Sequence, residues 1–158
     1  MDLRDQLEGG SALRTLPPIA PVSAMGTLGL VHMPRMWSKA LLHAKGQLAE
    51  GYLPGCFFDR TLMSGLGIDP QEALDHLMTE LPSYDAFEWW VLARAGGSID
   101  PQAARQINET ILTHVLDELD LRQFQEELGL PEGSPVRSTA QLDELDDLVQ
   151  FHRILIAE

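Results

Sequence analysis

Arginine, lysine and histidine recur along one stretch of the chain at a spacing that could build an anion site. Arg35, Lys39 and His43 lie four residues apart, which places them on one face of a helix. Pro34 suits the first helical turn, where free backbone N–H groups and the helix dipole attract anions. An arginine fork beside a lysine point charge could therefore hold a carboxylate or phosphate. The alternative is that this stripe docks the acidic segment 143–147 of the same chain.

A second group of reactive side chains follows at a predicted turn. Cys56 lies near a helix start, a position that lowers the pKa of a thiol and can make it a nucleophile if His32 or His43 supplies a base. The competing interpretation is a small buried hydrophobic residue. Asp59 is expected to cap the short helix that follows, and Arg60 to pair with a distant carboxylate or, alternatively, to clamp a ligand.

These observations predict one tentative anion-binding site and no catalytic residue. Between positions 32 and 60 the chain has four basic and two acidic residues, a local charge of +2 in a chain of −13. The sequence predicts no metal site, because no His-x-x-x-His or Glu-x-x-His pattern brings ligands together on a helix. No cofactor is predicted. The predicted site consists of Arg35, Lys39, His43, Cys56, Asp59 and Arg60.

The same region resembles a known family. Two patterns carry the resemblance, LG-x-V-x-x-PR-x-x-x-KA over residues 28–40 and Y-x-x-x-C-x-x-DR-x-x-x-x-x-x-GID over residues 52–69. The order of these residues is similar to that in the bacterial family called domain of unknown function 5069. Ser38 stands where an acidic residue is usual in that family, and Phe57 replaces a proline. The resemblance implies a small soluble domain and lends no activity.

Composition limits the partners and the compartment. The chain has 158 residues, enough for one domain with a sizeable core. Its 24 acidic and 11 basic residues disfavour nucleic acid and anionic membranes as partners. A single cysteine cannot form an internal disulfide, which favours a reducing cytoplasmic setting. The oligomeric state is left open.

Helical periodicity and cap signals predict an all-α fold of five to seven helices. We expect an extended N-terminal arm over residues 1–30 and a helical domain over 31–158, since prolines and glycines would break a helix in the arm. The alternative for residues 1–30 is simple disorder of the chain end. The predicted helices run from Pro34 to about residue 50, then over 59–66, 70–81, 84–95, 101–119, 121–128 and 139–155. The predicted core contains Trp37, Leu41, Leu62, Leu66, Leu74, Leu77, Trp90, Ile107, Ile111 and Leu112.

Aromatic side chains crowd the predicted helix 84–95. Tyr84, Phe87, Trp89 and Trp90 could wall a ligand pocket, but two aromatic faces on a short helix are more typical of a helix packed on both sides.

Two classes of function follow from these patterns. The first is a non-catalytic binding or interaction module for a small anionic ligand or a protein partner. The second is an enzyme with a site around Cys56, Asp59 and Arg60, for which the sequence contains no catalytic fingerprint.

Overall fold

A computed structural model describes residues 15–157 of the chain. This part contains seven helices, which we number α1 to α7, and only isolated β-bridges instead of strands. The all-α prediction is confirmed. The helices are α1 Met33–Ala44, α2 Phe57–Gly65, α3 Pro70–Glu80, α4 Tyr84–Arg94, α5 Pro101–Thr113, α6 Glu118–Glu127 and α7 Thr139–Ile156.

Four of the predicted helix starts coincide with a capping side chain. Asp69 and Asp100 accept a hydrogen bond from the backbone N–H two residues later, and each is followed by a proline that needs no partner for its nitrogen. Ser83 and Ser138 accept from the N–H three residues later. These local bonds explain why the starts of α3, α4, α5 and α7 could be predicted.

Two predicted helix ends are wrong. Helix α1 stops at Ala44 rather than near residue 50, because Gly46 turns the chain with a φ of 67°. The following segment then forms a parallel bridge between Leu16 and Leu48. The helix predicted over 101–119 is broken after Thr113, and Asp117 caps a separate helix by accepting from the N–H of Asp120. The longest helix described is therefore α7, with 18 residues.

The core forms where α1 packs on α3 and α4, and where α2 packs on α3 and α5. Helix α7 packs against α5. Nine of the ten predicted core residues are buried or pack against the buried cluster, whereas Leu112 is exposed. The described part of the arm, residues 15–30, has no helix but buries Val22 and Leu30 in the core. Residues 1–14 of the predicted arm lie outside the described residues.

None of the described helices is both long and apolar enough to cross a membrane.

Candidate functional site

His32 enters the core through an unusual backbone conformation. It precedes α1 with a φ of 69°, in the left-handed region that few residues other than glycine adopt, although histidine tolerates it better than most. Its N–H donates to the carbonyl of Val22 at 2.8 Å, and its own carbonyl accepts from Met36 at 2.8 Å. These bonds hold the reversal, which brings the buried imidazole toward the start of α2.

Asp59 is the centre of a buried polar cluster. His32 Nε2 lies 2.6 Å from its Oδ1, and its Oδ2 accepts from the N–H of Gly55 at 2.7 Å. Lys39 Nζ, which α1 directs inward, lies 3.0 Å from the same Oδ2 and 3.0 Å from Cys56 Sγ. We name His32, Lys39, Cys56 and Asp59 the buried cluster. Asp59 is therefore not the N-cap predicted from the sequence; the N-cap is Cys56, and Asp59 reaches back from the first turn.

The ionic states within the buried cluster follow from this geometry. Burial alone would favour a neutral Asp59, but the hydrogen bond from His32 and the charge of Lys39 outweigh it and hold the pKa of Asp59 below its usual range. Burial lowers the pKa of His32, although Asp59 opposes this change. A neutral His32 leaves one ammonium facing one carboxylate, so the buried charges balance.

Cys56 is poorly suited to act as a nucleophile. Burial raises the pKa of its thiol, and the neighbouring Asp59 carboxylate raises it further, while Lys39 opposes both effects without overcoming them. The protonated thiol is the unreactive form. The same residues could offer a metal three ligand atoms, since those of His32, Cys56 and Asp59 lie within 4.8 Å of one another. Lys39 places its ammonium beside two of these atoms, so a metal would have to displace an existing cation.

Arg35 forms a second ionic contact on the neighbouring turn of α1. Its guanidinium donates to both carboxylate oxygens of Asp147 on α7, at 2.5 and 3.0 Å, and to the carbonyl of Ala20 at 3.1 Å. Tyr52 donates its hydroxyl to Asp147 at 2.9 Å, and its ring lies beneath the guanidinium. Although burial opposes protonation, the hydrogen bond and charge of Asp147 raise the pKa of Arg35. Arg35 thus joins the N-terminal segment, α1 and α7.

The predicted anion site does not converge on one point. Arg35 and Lys39 are both buried, and each faces a different carboxylate of the chain. His43 and Arg60 are exposed, and neither forms an ion pair within residues 15–157. The ligand-binding role of the six residues stays a prediction. The predicted partner for Arg60 is absent from the described part of the chain.

Sequence reasoning anticipated some of these contacts and missed others. The docking of Arg35 on the acidic segment 143–147 was one of the two interpretations of the stripe. The roles of His32 and Tyr52 carried no local signal, because their partners lie 27 and 95 residues away along the chain. The three residues Lys39, Cys56 and Asp59 do belong to the pattern on which the family resemblance depends.

A family model described as domain of unknown function (DUF5069) matches residues 18–149. The chain belongs to this family. The match begins just before Ala20 and includes Asp147, so the DUF5069 region contains the buried cluster and both partners of Arg35. The end of α7, from Gln150 onward, lies beyond it. No curated protein matches the chain.

Proposed function

We propose that this DUF5069 protein is a non-catalytic interaction module that binds a segment of a protein partner in an apolar groove. The groove lies between residues 16–21 and α7 and has a volume of about 580 Å³. Glu144 and Asp147 contribute its acidic edge. The apolar lining comes from Leu16, Pro17, Pro18, Ile19, Ala20, Pro21, Leu148 and Phe151.

The observation that carries the proposal is the exposure of large apolar side chains on both walls. Ile19 is 71% exposed on one wall, and Leu148 and Phe151 are 65% and 51% exposed on the other. Leu155 continues the same face of α7, since residues 148, 151 and 155 follow helical spacing. Contiguous exposed apolar surface next to polar groups is typical of an interaction site.

Arg35 supports the proposal because it holds the two walls together. It binds the carbonyl of Ala20 in one wall and the carboxylate of Asp147 in the other. A buried guanidinium with both partners in place fixes their separation before any ligand arrives, which lowers the cost of ordering on binding. In this proposal Arg35 is a positioning residue.

Charge indicates the chemistry of the partner. The segment from Asp117 to the last residue contains 11 acidic and 3 basic residues, a net charge of −8 of the total −13. A partner segment with apolar side chains flanked by lysine or arginine would match both the apolar groove and this negative charge. The attraction between opposite charges would also speed association. The proposed setting is the bacterial cytoplasm, with neither nucleic acid nor a membrane as the partner.

Two other interpretations are weaker. An anionic ligand at the stripe would have to displace Asp147 from Arg35 or Asp59 from Lys39, and breaking a buried pair costs about 3–5 kcal/mol. An enzyme that uses Cys56 would need the thiolate, which burial disfavours. Binding in the apolar groove requires neither the loss of a buried ion pair nor a thiolate, because the groove is already open.

The test uses two labelled peptides of equal length. One alternates pairs of leucines with lysines, and the other has each lysine replaced by glutamate. We expect the lysine peptide to bind the full chain at least about tenfold more tightly in fluorescence anisotropy. The Leu148→Ser, Phe151→Ser double variant should lose this binding.

Leu119→Ser supplies the matched control, because Leu119 is 76% exposed on α6 and does not line the groove. This variant should bind the lysine peptide as the unmodified chain does. Equal binding of the two peptides, or unchanged binding by the double variant, would show that the groove is not the docking site.

A further inference from the structure

A second groove lies where the loop 25–28 meets the start of α4. Its volume is about 590 Å³, within the range of small-molecule sites. It shares no lining residue with the groove of the proposed function. The lining residues are Met25, Gly26, Thr27, Leu28, Tyr84, Asp85, Glu88, Trp89 and Leu92.

The floor of this groove contains a buried carboxylate without a counter-ion. Glu88 is only 6% exposed, and its two oxygens accept from the N–H and the hydroxyl of Thr27, at 3.2 and 2.5 Å. No lysine, arginine or histidine lines the groove, and Glu88 forms no ion pair within residues 15–157. Buried charges in proteins are normally paired, so the floor lacks a cation.

Aromatic surface and further negative charge surround this carboxylate. Trp89 is 71% exposed at the groove, an unusual position for the largest apolar side chain. Tyr84 lines the groove beside Glu88, and its hydroxyl and the Glu88 carboxylate both approach Gly26 closely. Asp85 adds a second carboxylate at the exposed start of α4. Tyr84, Phe87 and Trp90 join or adjoin the core in the predicted way, whereas Trp89 does not.

We propose that this groove binds a small organic cation, an amine or quaternary ammonium that carries an apolar body. The indole face of Trp89 and the ring of Tyr84 attract a cation through their π-electrons, and the charges of Glu88 and Asp85 add a longer-range attraction. The apolar lining from Met25, together with Leu28 and Leu92, would cover the rest of the ligand.

The lack of a side chain at Gly26 allows Tyr84 and Glu88 to lie close to the loop 25–28. A methyl group at this position would overlap the Tyr84 hydroxyl and Glu88 Oε1, so any larger residue would push these groups apart. The glycine is therefore required by the close approach of the loop to α4. Gly26→Ala should therefore weaken binding, because it displaces Tyr84 and Glu88.

The experiment titrates three probes that share one ring into the full ¹⁵N-labelled chain: 2-phenylethylammonium, 2-phenylethanol and phenylacetate. Amide signals of residues 25–28 report binding. We expect the ammonium probe to bind at least about tenfold more tightly than the neutral alcohol, and phenylacetate to bind least. Trp89→Ala and Asp85→Asn should each lower the affinity for the ammonium probe about fivefold. Both side chains are exposed, so neither change threatens the fold.

Leu119→Ala is the control, since it removes an exposed apolar side chain from another helix. Its affinity for the ammonium probe should be unchanged. Equal affinity for the ammonium and the alcohol, or unchanged affinity in Trp89→Ala, would overturn the proposal. Tighter binding of acetyl-lysinamide than of 2-phenylethylammonium would assign the groove to a lysine of a protein partner and would also overturn it.

Discussion

Asp143 lies on α7 near the ionic contact between Arg35 and Asp147, and its ionisation in the folded state is unfavourable. Burial raises its pKa to about 6, and the charges of Asp147 and Asp146 add to this effect, while Arg35 and Lys39 oppose it. In the unfolded chain an aspartic acid loses its proton near pH 3.9. Between these two values the folded state binds more protons than the unfolded state.

The sign of the effect on stability follows from this difference. Asp143 costs the folded state nothing below about pH 4, where it is protonated in both states. The cost grows as the pH rises and is complete above the folded pKa. Each pKa unit corresponds to about 1.4 kcal/mol, so the raised pKa of about 6 corresponds to roughly 3 kcal/mol at pH 8.

Asp143→Asn removes the charge and retains the shape of the side chain. We expect this variant to unfold in urea with a free energy about 1–3 kcal/mol larger than the unmodified chain at pH 8. The gain should vanish near pH 4. Urea titrations followed by circular dichroism at several pH values measure the difference directly.

Asp75→Asn is the control for the general benefit of removing one negative charge from a chain of −13. Asp75 is exposed on α3, so the change should have an effect within about 0.5 kcal/mol at every pH. A gain for Asp143→Asn that does not depend on pH would refute the reasoning. So would a loss of stability at pH 8.

Four other substitutions or reactions test the ionic contacts Lys39–Asp59 and Arg35–Asp147, the Cys56 thiol and the exposed Arg60. Lys39→Met should lower the free energy of unfolding by about 3–5 kcal/mol, because it leaves the Asp59 carboxylate buried without its cation; since the folded pKa of Asp59 is lowered, the deficit should shrink on acidification as the carboxylate is protonated. The Cys56 thiol should react with a disulfide reagent at neutral pH at least about tenfold more slowly than in the urea-unfolded chain, and equal rates would contradict its raised pKa. Arg35→Ala should lower the melting temperature by several degrees without any ligand present, and an unchanged value would exclude a docking role. Arg60→Ala should change the free energy of unfolding by no more than about 0.5 kcal/mol, because its side chain is exposed; a larger loss would indicate the partner that the sequence predicted.

The fold could be predicted where its causes are local. Asp69, Ser83, Asp100 and Ser138 each cap a helix within three residues of their own position, so a short window of sequence contains the signal. The break after Thr113 has a local cause in the Asp117 cap of α6, but it also depends on a distant contact. There the carbonyl of His114 accepts from the N–H of Thr139, a contact that no local pattern encodes.

The candidate site divides in the same way. Opposite charges alone suggested that Arg35 would dock on segment 143–147, and the structure places it on Asp147. The four-residue spacing predicted that Arg35, Lys39 and His43 would point in one direction. In the structure Arg35 and Lys39 are buried against different carboxylates, whereas His43 is exposed. Lys39 turns into the core because Asp59 lies there, and that position depends on the tight turn at Gly55, whose φ of 85° lets its N–H reach the carboxylate.

The position of Arg35 has a consequence for the order in which the molecule folds. During synthesis Arg35 emerges 112 residues before Asp147, and it is buried in the finished domain. Helices α1 to α5 can meet while the chain is still growing, but this guanidinium then lacks its acid. A buried arginine without a partner is costly, so α1 should stay partly open to water until α7 arrives. The docking of α7 is therefore expected late in folding, because it closes a loop of 112 residues between Arg35 and Asp147.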